Sequence, residues 1–240
     1  MREEKDGRGE VAGIRRMAVL VILLTISRGA LARDSWQVWM DQVASKALSD
    51  KSSLRAGQSF RYSCDEERLE TYFIEAGFSR RFLHWLESGL AYRQQFARRG
   101  DHWLEENRPY VDVTVQWRNP RVTLSDRNRL EYRGLEGQDD SFRYRNKAML
   151  HYNKWEPPFG LKPYVAVEAF MDDSVRLNER NRTRLTFGIR TDPERGLLHA
   201  FQAHAGLALA MDYYVMVQRA KKDGRWMEEY VAGAQLGAQF

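Results

Sequence analysis

The stretch RNRLEYRGLEGQDDSFRYRNKAMLHY, residues 127–152, decides the fold class. Before its middle, odd positions are Arg127, Arg129, Glu131 and Arg133, with Leu130 and Tyr132 between them. After it, odd positions are Arg143, Arg145 and Lys147, and even ones are Phe142, Tyr144, Ala148, Leu150 and Tyr152. A period of two places successive side chains on opposite faces of a β-strand. GLEGQDD between the two runs is rich in Gly and Asp and reads as a turn. The stretch is therefore a hairpin with one apolar and one charged face. Two environments suit it. A soluble sheet turns its apolar face to a core. An outer-membrane barrel turns that face to lipid and the charged face to its lumen.

The two ends of the chain favour the barrel. Residues 17–27 (MAVLVILLTIS) follow Arg15 and Arg16 and precede Ala30-Leu31-Ala32. The apolar run is shorter than the roughly 20 residues of a transmembrane helix. It has the order of a secretory signal: basic residues, apolar core, small-residue cleavage site. Residues 1–32 are expected to be a cleaved signal peptide and 33–240 the exported domain. At the other end, Tyr230, Ala232, Ala234, Leu236, Ala238 and Phe240 share one face. Gly233, Gln235, Gly237 and Gln239 share the other, with Val231 as the exception. This resembles the closing strand of bacterial outer-membrane barrels, in which a terminal Phe is read by the barrel-assembly machinery.

Composition narrows the function classes. Removing residues 1–32 takes away six of 38 Lys+Arg and four of 33 Asp+Glu, which leaves a formal charge of +3. That is too mild to indicate nucleic acid as a partner. Cys64, the single cysteine, forms no internal disulfide. After the signal, no apolar run is long enough for a spanning helix, so a membrane-embedded form must be a barrel.

Alternation places strands at about 36–44, 54–63, 68–78, 82–96, 108–118, 121–133, 142–154, 163–171, 179–190, 207–218 and 228–240. Aromatics gather near their ends: Tyr110, Trp117, Tyr132, Tyr152, Trp155, Tyr164, Trp226 and Tyr230. That matches interfacial girdles. Links at 79–81, 119–120 and 191–196 read as tight periplasmic turns, and those after Phe96, Arg133 and Gln218 as extracellular. Bacterial barrels have an even strand number. The expected fold is thus an all-β, antiparallel up-and-down transmembrane barrel of twelve strands, with ten as the alternative. The missing strand is sought near 197–204 or in 36–63.

The charged face then lines a lumen. Arg127, Arg129, Glu131, Arg133, Arg143, Arg145, Lys147, Glu168, Arg180, Arg182 and Arg184 are the candidate lining residues, with Arg190 on a similar position. Glu75, Glu87, Glu131 and Glu168 are available to pair with them. A turn centred on Gln138 sets Arg145 against Glu131, Lys147 against Arg129, and Arg143 against Arg133. Such a lumen is either plugged by ion pairs or a small pore for anions and acidic solutes, which Arg forks can bind.

The chain also resembles a family. Trp36 and Trp39 after the signal, RNRLEYR, the following RYR, Glu168-Ala169-Phe170, and Asn178, Asn181, Arg182 and Arg184 are similar to the DUF2490 family. The resemblance implies a small bacterial outer-membrane barrel and carries no catalytic residue or activity. The chain departs from the pattern near its N-terminus and at 191–206.

For chemistry, Ser125 and His151 face one another in the same register. They are the candidate pair for a membrane-embedded lipid-modifying hydrolase, although neither an orienting group nor an oxyanion stabiliser can be named. His84, His102, His199 and His204 lack metal-ligand spacing, and no phosphate loop or dinucleotide fingerprint occurs. No metal or cofactor is expected. Outer-membrane lipid and the assembly machinery are the expected partners, and the oligomeric state stays open. A soluble periplasmic β-barrel binder is a further alternative.

Overall fold

The computed structural model describes residues 35–154, 161–172, 182–191, 208–222 and 225–240. The expected signal peptide, Trp155, Arg180, His199 and His204 lie outside them. Eleven strands run through the described residues: β1 (Ser35–Ser49), β2 (Ser52–Ser63), β3 (Arg68–Leu83), β4 (Leu86–Arg99), β5 (His102–Arg118) and β6 (Val122–Leu135). They continue as β7 (Ser141–Tyr152), β8 (Leu161–Asp172), β9 (Arg182–Thr191), β10 (Ala208–Lys222) and β11 (Arg225–Gln239). Each pairs antiparallel with its sequence neighbour, and β1 closes the barrel against β11.

The expectation of twelve strands, or ten, is corrected to a closed barrel of eleven among the described residues; 197–204 lies outside them. The alternation pattern itself marks eleven segments; the even-number rule overrode it. Residues 36–63 hold a single hairpin, β1 with β2. An odd up-and-down count makes the first and last strands point the same way, so the closing pair is parallel, running from Ser35↔Glu229 to Ser45↔Gln239. The seam continues at its far end, where the Phe240 N–H donates to the Ser45 carbonyl at 2.9 Å. Ser35 and Phe240 therefore lie at opposite rims. The rim of Ser35 also carries the links at 64–67, 100–101 and 136–140. The rim of Phe240 carries those at 50–51, 84–85 and 119–121.

Two local expectations change. Residues 79–81 belong to β3, which continues to Leu83, so the reversal falls at 84–85. The turn expected over 191–196 lies, beyond Thr191, outside the described residues. The β6–β7 register centres on Gly137, not Gln138. Arg129 stands opposite Arg145, Glu131 opposite Arg143, and Arg127 opposite Lys147. Gly137 has φ of +68°, a left-handed conformation that glycine adopts without a Cβ clash. Moving the centre by one residue shifts every pair by two and keeps each side chain on its face. One interruption has a covalent cause. The β5–β6 ladder passes from Asn107↔Gly134 to Tyr110↔Glu131, and Pro109, which has no N–H to give, stands in the gap.

The barrel is inverted relative to a soluble domain. Among the described residues, seventeen polar or charged side chains are buried against nine apolar ones. One hydrogen-bonded row around the outside reads Leu90, Val111, Leu130, Tyr144, Met171. These residues are 63%, 51%, 54%, 37% and 57% exposed.

Aromatic side chains cluster near both rims. At the Ser35 rim, Trp36 stacks on Tyr230, Tyr72 on Phe96 with Trp103 edge-on, and Tyr132 meets Phe142 edge-on. Toward the other rim Phe82, Trp85, Trp117, Tyr152 and Phe240 are exposed. Tyr110 and Tyr164, expected in these girdles, are buried inside. They share parity with Arg108 and Asp112, and with Glu168, on the polar face of their strands.

Candidate functional site: the charged interior

Alternation brings the polar face of every strand to one interior, and cross-strand pairing then organises it. Five carboxylates stand directly opposite the arginine that they bind. Arg93 donates to Glu75 at 2.6 Å, and Arg129 holds Asp112 with two bonds at 2.6 and 2.8 Å. Arg143 grips Asp172 with two bonds, Arg190 donates to Asp212 at 2.9 Å, and Arg184 lies 3.4 Å from Glu168. Paired forks of this kind are the strong form of the guanidinium–carboxylate contact. They explain how Arg129 can face Arg145 and Arg127 can face Lys147, like-charge oppositions that destabilise a sheet when unrelieved. Arg129 finds Asp112 on β5, at its other side, and Arg145 finds Glu168 on β8, while Arg127 reaches past Lys147 to the same Glu168 at 3.2 Å.

Glu131 and Glu168 link these pairs into a lattice. Glu131 is fully buried and meets Arg145 at 2.7 Å, Arg129 at 3.5 Å and Arg108 at 3.9 Å. Glu168 meets Arg145 at 2.7 Å, Arg127 at 3.2 Å and Arg184 at 3.4 Å. Glu106 binds Arg108 at 2.6 Å and also Arg133. Burying such charges is costly unless geometry and hydrogen bonding compensate, and here most carboxylates serve two or three arginines.

Aromatic plates fill the remaining space. The Arg129 guanidinium lies 3.7 Å from the Tyr110 ring, Arg93 lies 3.8 Å from Phe73, and Arg61 lies 4.0 Å from Trp39. Arg145 and Arg184 sit over Phe170 at 4.7 and 4.5 Å. Desolvated contacts of this type are worth about 2 kcal/mol. Tyr110 also accepts from Arg55 at 3.1 Å and donates to Glu75 at 3.0 Å.

Two more tyrosines use missing side chains next door. Tyr164 stands opposite Gly188 and donates to Asp212 at 2.8 Å; Tyr214 stands opposite Gly233 and donates to Asp41 at 3.1 Å. A Cβ on either glycine would overlap the tyrosine ring. Val231, the exception in the terminal pattern, packs with Trp39 and Met216 in a small apolar cluster inside the barrel.

Two cavities flank this lattice. One, of about 290 Å³, lies toward the Ser35 rim, and one of about 260 Å³ toward the Phe240 rim. Trp39, Arg61, Arg93, Arg145 and Arg184 line both and stand between them.

The candidate lining residues Arg127, Arg129, Glu131, Arg133, Arg143, Arg145, Lys147, Glu168, Arg182 and Arg184 all lie on interior positions of their strands. Glu87 lines a separate pocket with Arg55, Asp112 and Arg127. Reasoning from sequence missed Trp39, Phe73 and Phe170. Their signal was parity, since Phe73 alternates with Glu75 and Phe170 with Glu168.

Ser125 and His151 are not brought together. The register sets Ser125 opposite Met149 and Gln116, and His151 opposite Thr123 and Tyr164. The His151 ring packs at 5.2 Å from Tyr164, and His151 stands two residues out of register with Ser125. Among the described residues, no three potential metal ligands cluster.

Among curated proteins, nothing matches the chain. A family model does. It runs from residue 36, at the start of the first strand, to 224, between the last two. It thus spans the RNRLEYR and RYR strands and the interior lattice that they anchor. The chain belongs to this family, DUF2490, described as proteins of unknown function.

Proposed function

We propose that this protein is a bacterial outer-membrane β-barrel, exported by a signal peptide removed after Ala32, and that its interior makes it a closed structural barrel of the envelope. The inverted polarity carries the reading. An apolar row around the waist, exposed on five successive strands, suits hydrocarbon and is an aggregation liability in water. Rim aromatics and strands of ten to 17 residues support it, because a tilted spanning strand needs about 9–11. Outer-membrane lipid is then the solvent of the outer face. Phe240, exposed at the end of the seam, suits recognition by the assembly machinery.

Closure rests on the five residues that line both cavities and on the ion pairs around them. A pore for anions is the second reading, favoured by nine arginines against four glutamates around the cavity near the Ser35 rim. Among the described residues a lipid hydrolase has no paired nucleophile and base behind it, and a periplasmic binder would need a polar exterior.

Fractionation of cells expressing the full chain tests location. The expected result is a heat-modifiable band in the outer membrane that resists alkaline extraction. Recovery in the soluble periplasmic fraction would refute the membrane reading. Planar-bilayer recording of the purified barrel then separates the two membrane readings. Silence is expected from the closed form, and discrete anion-selective openings would establish the pore.

A further inference from the structure

The interior has more positive charge than its carboxylates can match, and the surplus collects at one place. Arg61 on β2 is stacked on Trp39 at 4.0 Å and lies 5.4 Å from Phe73. Its Nε is buried without a hydrogen-bond partner. No carboxylate oxygen lies within 4.0 Å of its guanidinium among the described residues. Arg182 on β9, 5.8 Å from Phe170, likewise has no described carboxylate within that distance. Arg184, two residues along the same face and 4.9 Å from Trp39, has only Glu168 at 3.4 Å, which Arg145 and Arg127 approach more closely. Arg61, Arg182 and Arg184 all line the cavity near the Ser35 rim. Gln95 lines it too; it is buried, and its Oε1 has no hydrogen-bond partner.

Guanidiniums withdrawn from water and short of carboxylates are expensive; Arg61 and Arg182 are half-buried without one and buried Arg184 shares one, so the cavity that gathers them is poised for an anion from outside. Arg presents planar forks that fit the oxygens of phosphate and carboxylate. We propose that the cavity near the Ser35 rim binds a small, multiply charged oxyanion, a phosphate-bearing solute, between Arg61, Arg182 and Arg184. Gln95 meets an uncharged hydroxyl of the same molecule. A cavity of about 290 Å³ accommodates a solute of a few heavy-atom groups and no macromolecule. The barrel wall separates the site from the outer face, so the ligand enters from the aqueous rim. The proposal rests on interior geometry and is independent of what surrounds the barrel.

The test is titration calorimetry of the detergent-purified protein with pyrophosphate, with chloride at matched ionic strength as the reference. Saturable binding of one pyrophosphate per barrel is expected. Arg61→Gln and Arg182→Gln should each weaken it by about tenfold or more, as the loss of one charge-assisted contact implies. Arg219→Gln, at a rim pair with Glu228 outside the cavity, should bind as the parent does. Each variant is first checked for the heat-modifiable band of a folded barrel. Arg182→Gln, at the end of its strand, keeps the test open if Arg61→Gln does not fold. Absence of saturable binding above the chloride reference overturns the proposal, as does unchanged affinity in both folded glutamine variants.

Discussion

Glu131 and Val111 occupy opposite sides of one sheet and make opposite demands on their surroundings. Glu131 is fully buried among Arg145, Arg129 and Arg108. Removing one partner from a buried ion pair costs about 3–5 kcal/mol, because the remaining charges lose their compensation. Glu131→Ala should therefore lower the denaturant midpoint of the folded barrel and the temperature at which its gel band shifts. An unchanged midpoint would show that Glu168 alone neutralises Arg145. Val111 lies in the apolar row between Leu90 and Leu130. Val111→Arg should destabilise the barrel by about 2–4 kcal/mol in a bilayer, the cost of Arg near the midplane. In a water-soluble barrel the same change at an exposed site stays within about 0.5 kcal/mol. Refolding titrations in lipid vesicles measure the difference, and a neutral result would point to water on that face.

At the scale of strands, the sequence carried almost all of the architecture in its period of two. Eleven alternating segments correspond to eleven strands, because inward and outward residues differ so sharply in polarity. What alternation cannot encode is register. Any even shift leaves RNRLEYR and RYR on their faces, so only the turn can choose, and a centre at Gln138 in place of Gly137, the middle residue of GLEGQDD with positive φ, displaces every pair by two. Aromatic residues were the second blind spot. Tyr110 and Tyr164 suit a girdle or an arginine stack equally well by chemistry, and only their parity separates the two. The register is directly testable with Cys64 replaced by Ala. Leu130→Cys with Tyr144→Cys, opposed in β6 and β7, should oxidise to a cross-link that survives in the folded barrel. Tyr132→Cys with Tyr144→Cys, which a centre at Gln138 would oppose, should not. A cross-link in the second pair alone would restore the shifted register.

For the whole molecule, the parallel seam sets the ends of the barrel apart. Ser35 and Phe240 sit at opposite rims, so if the barrel spans a membrane they face different compartments. An epitope tag inserted just before Ser35 and one appended after Phe240 should be reached by antibody or protease from different sides. Protection of both, or exposure of both, in intact cells would mean an even strand number in the membrane. Parity also constrains ancestry. Barrels grow or shrink most simply by whole hairpins, and a hairpin adds or removes two strands, so an odd barrel remains odd through any number of such steps. Its ends can never be brought to one rim by that route, nor joined by a short loop to make a circular permutant. A lineage that carries this seam is separated from every even-stranded barrel by at least one event that gained or lost a single strand.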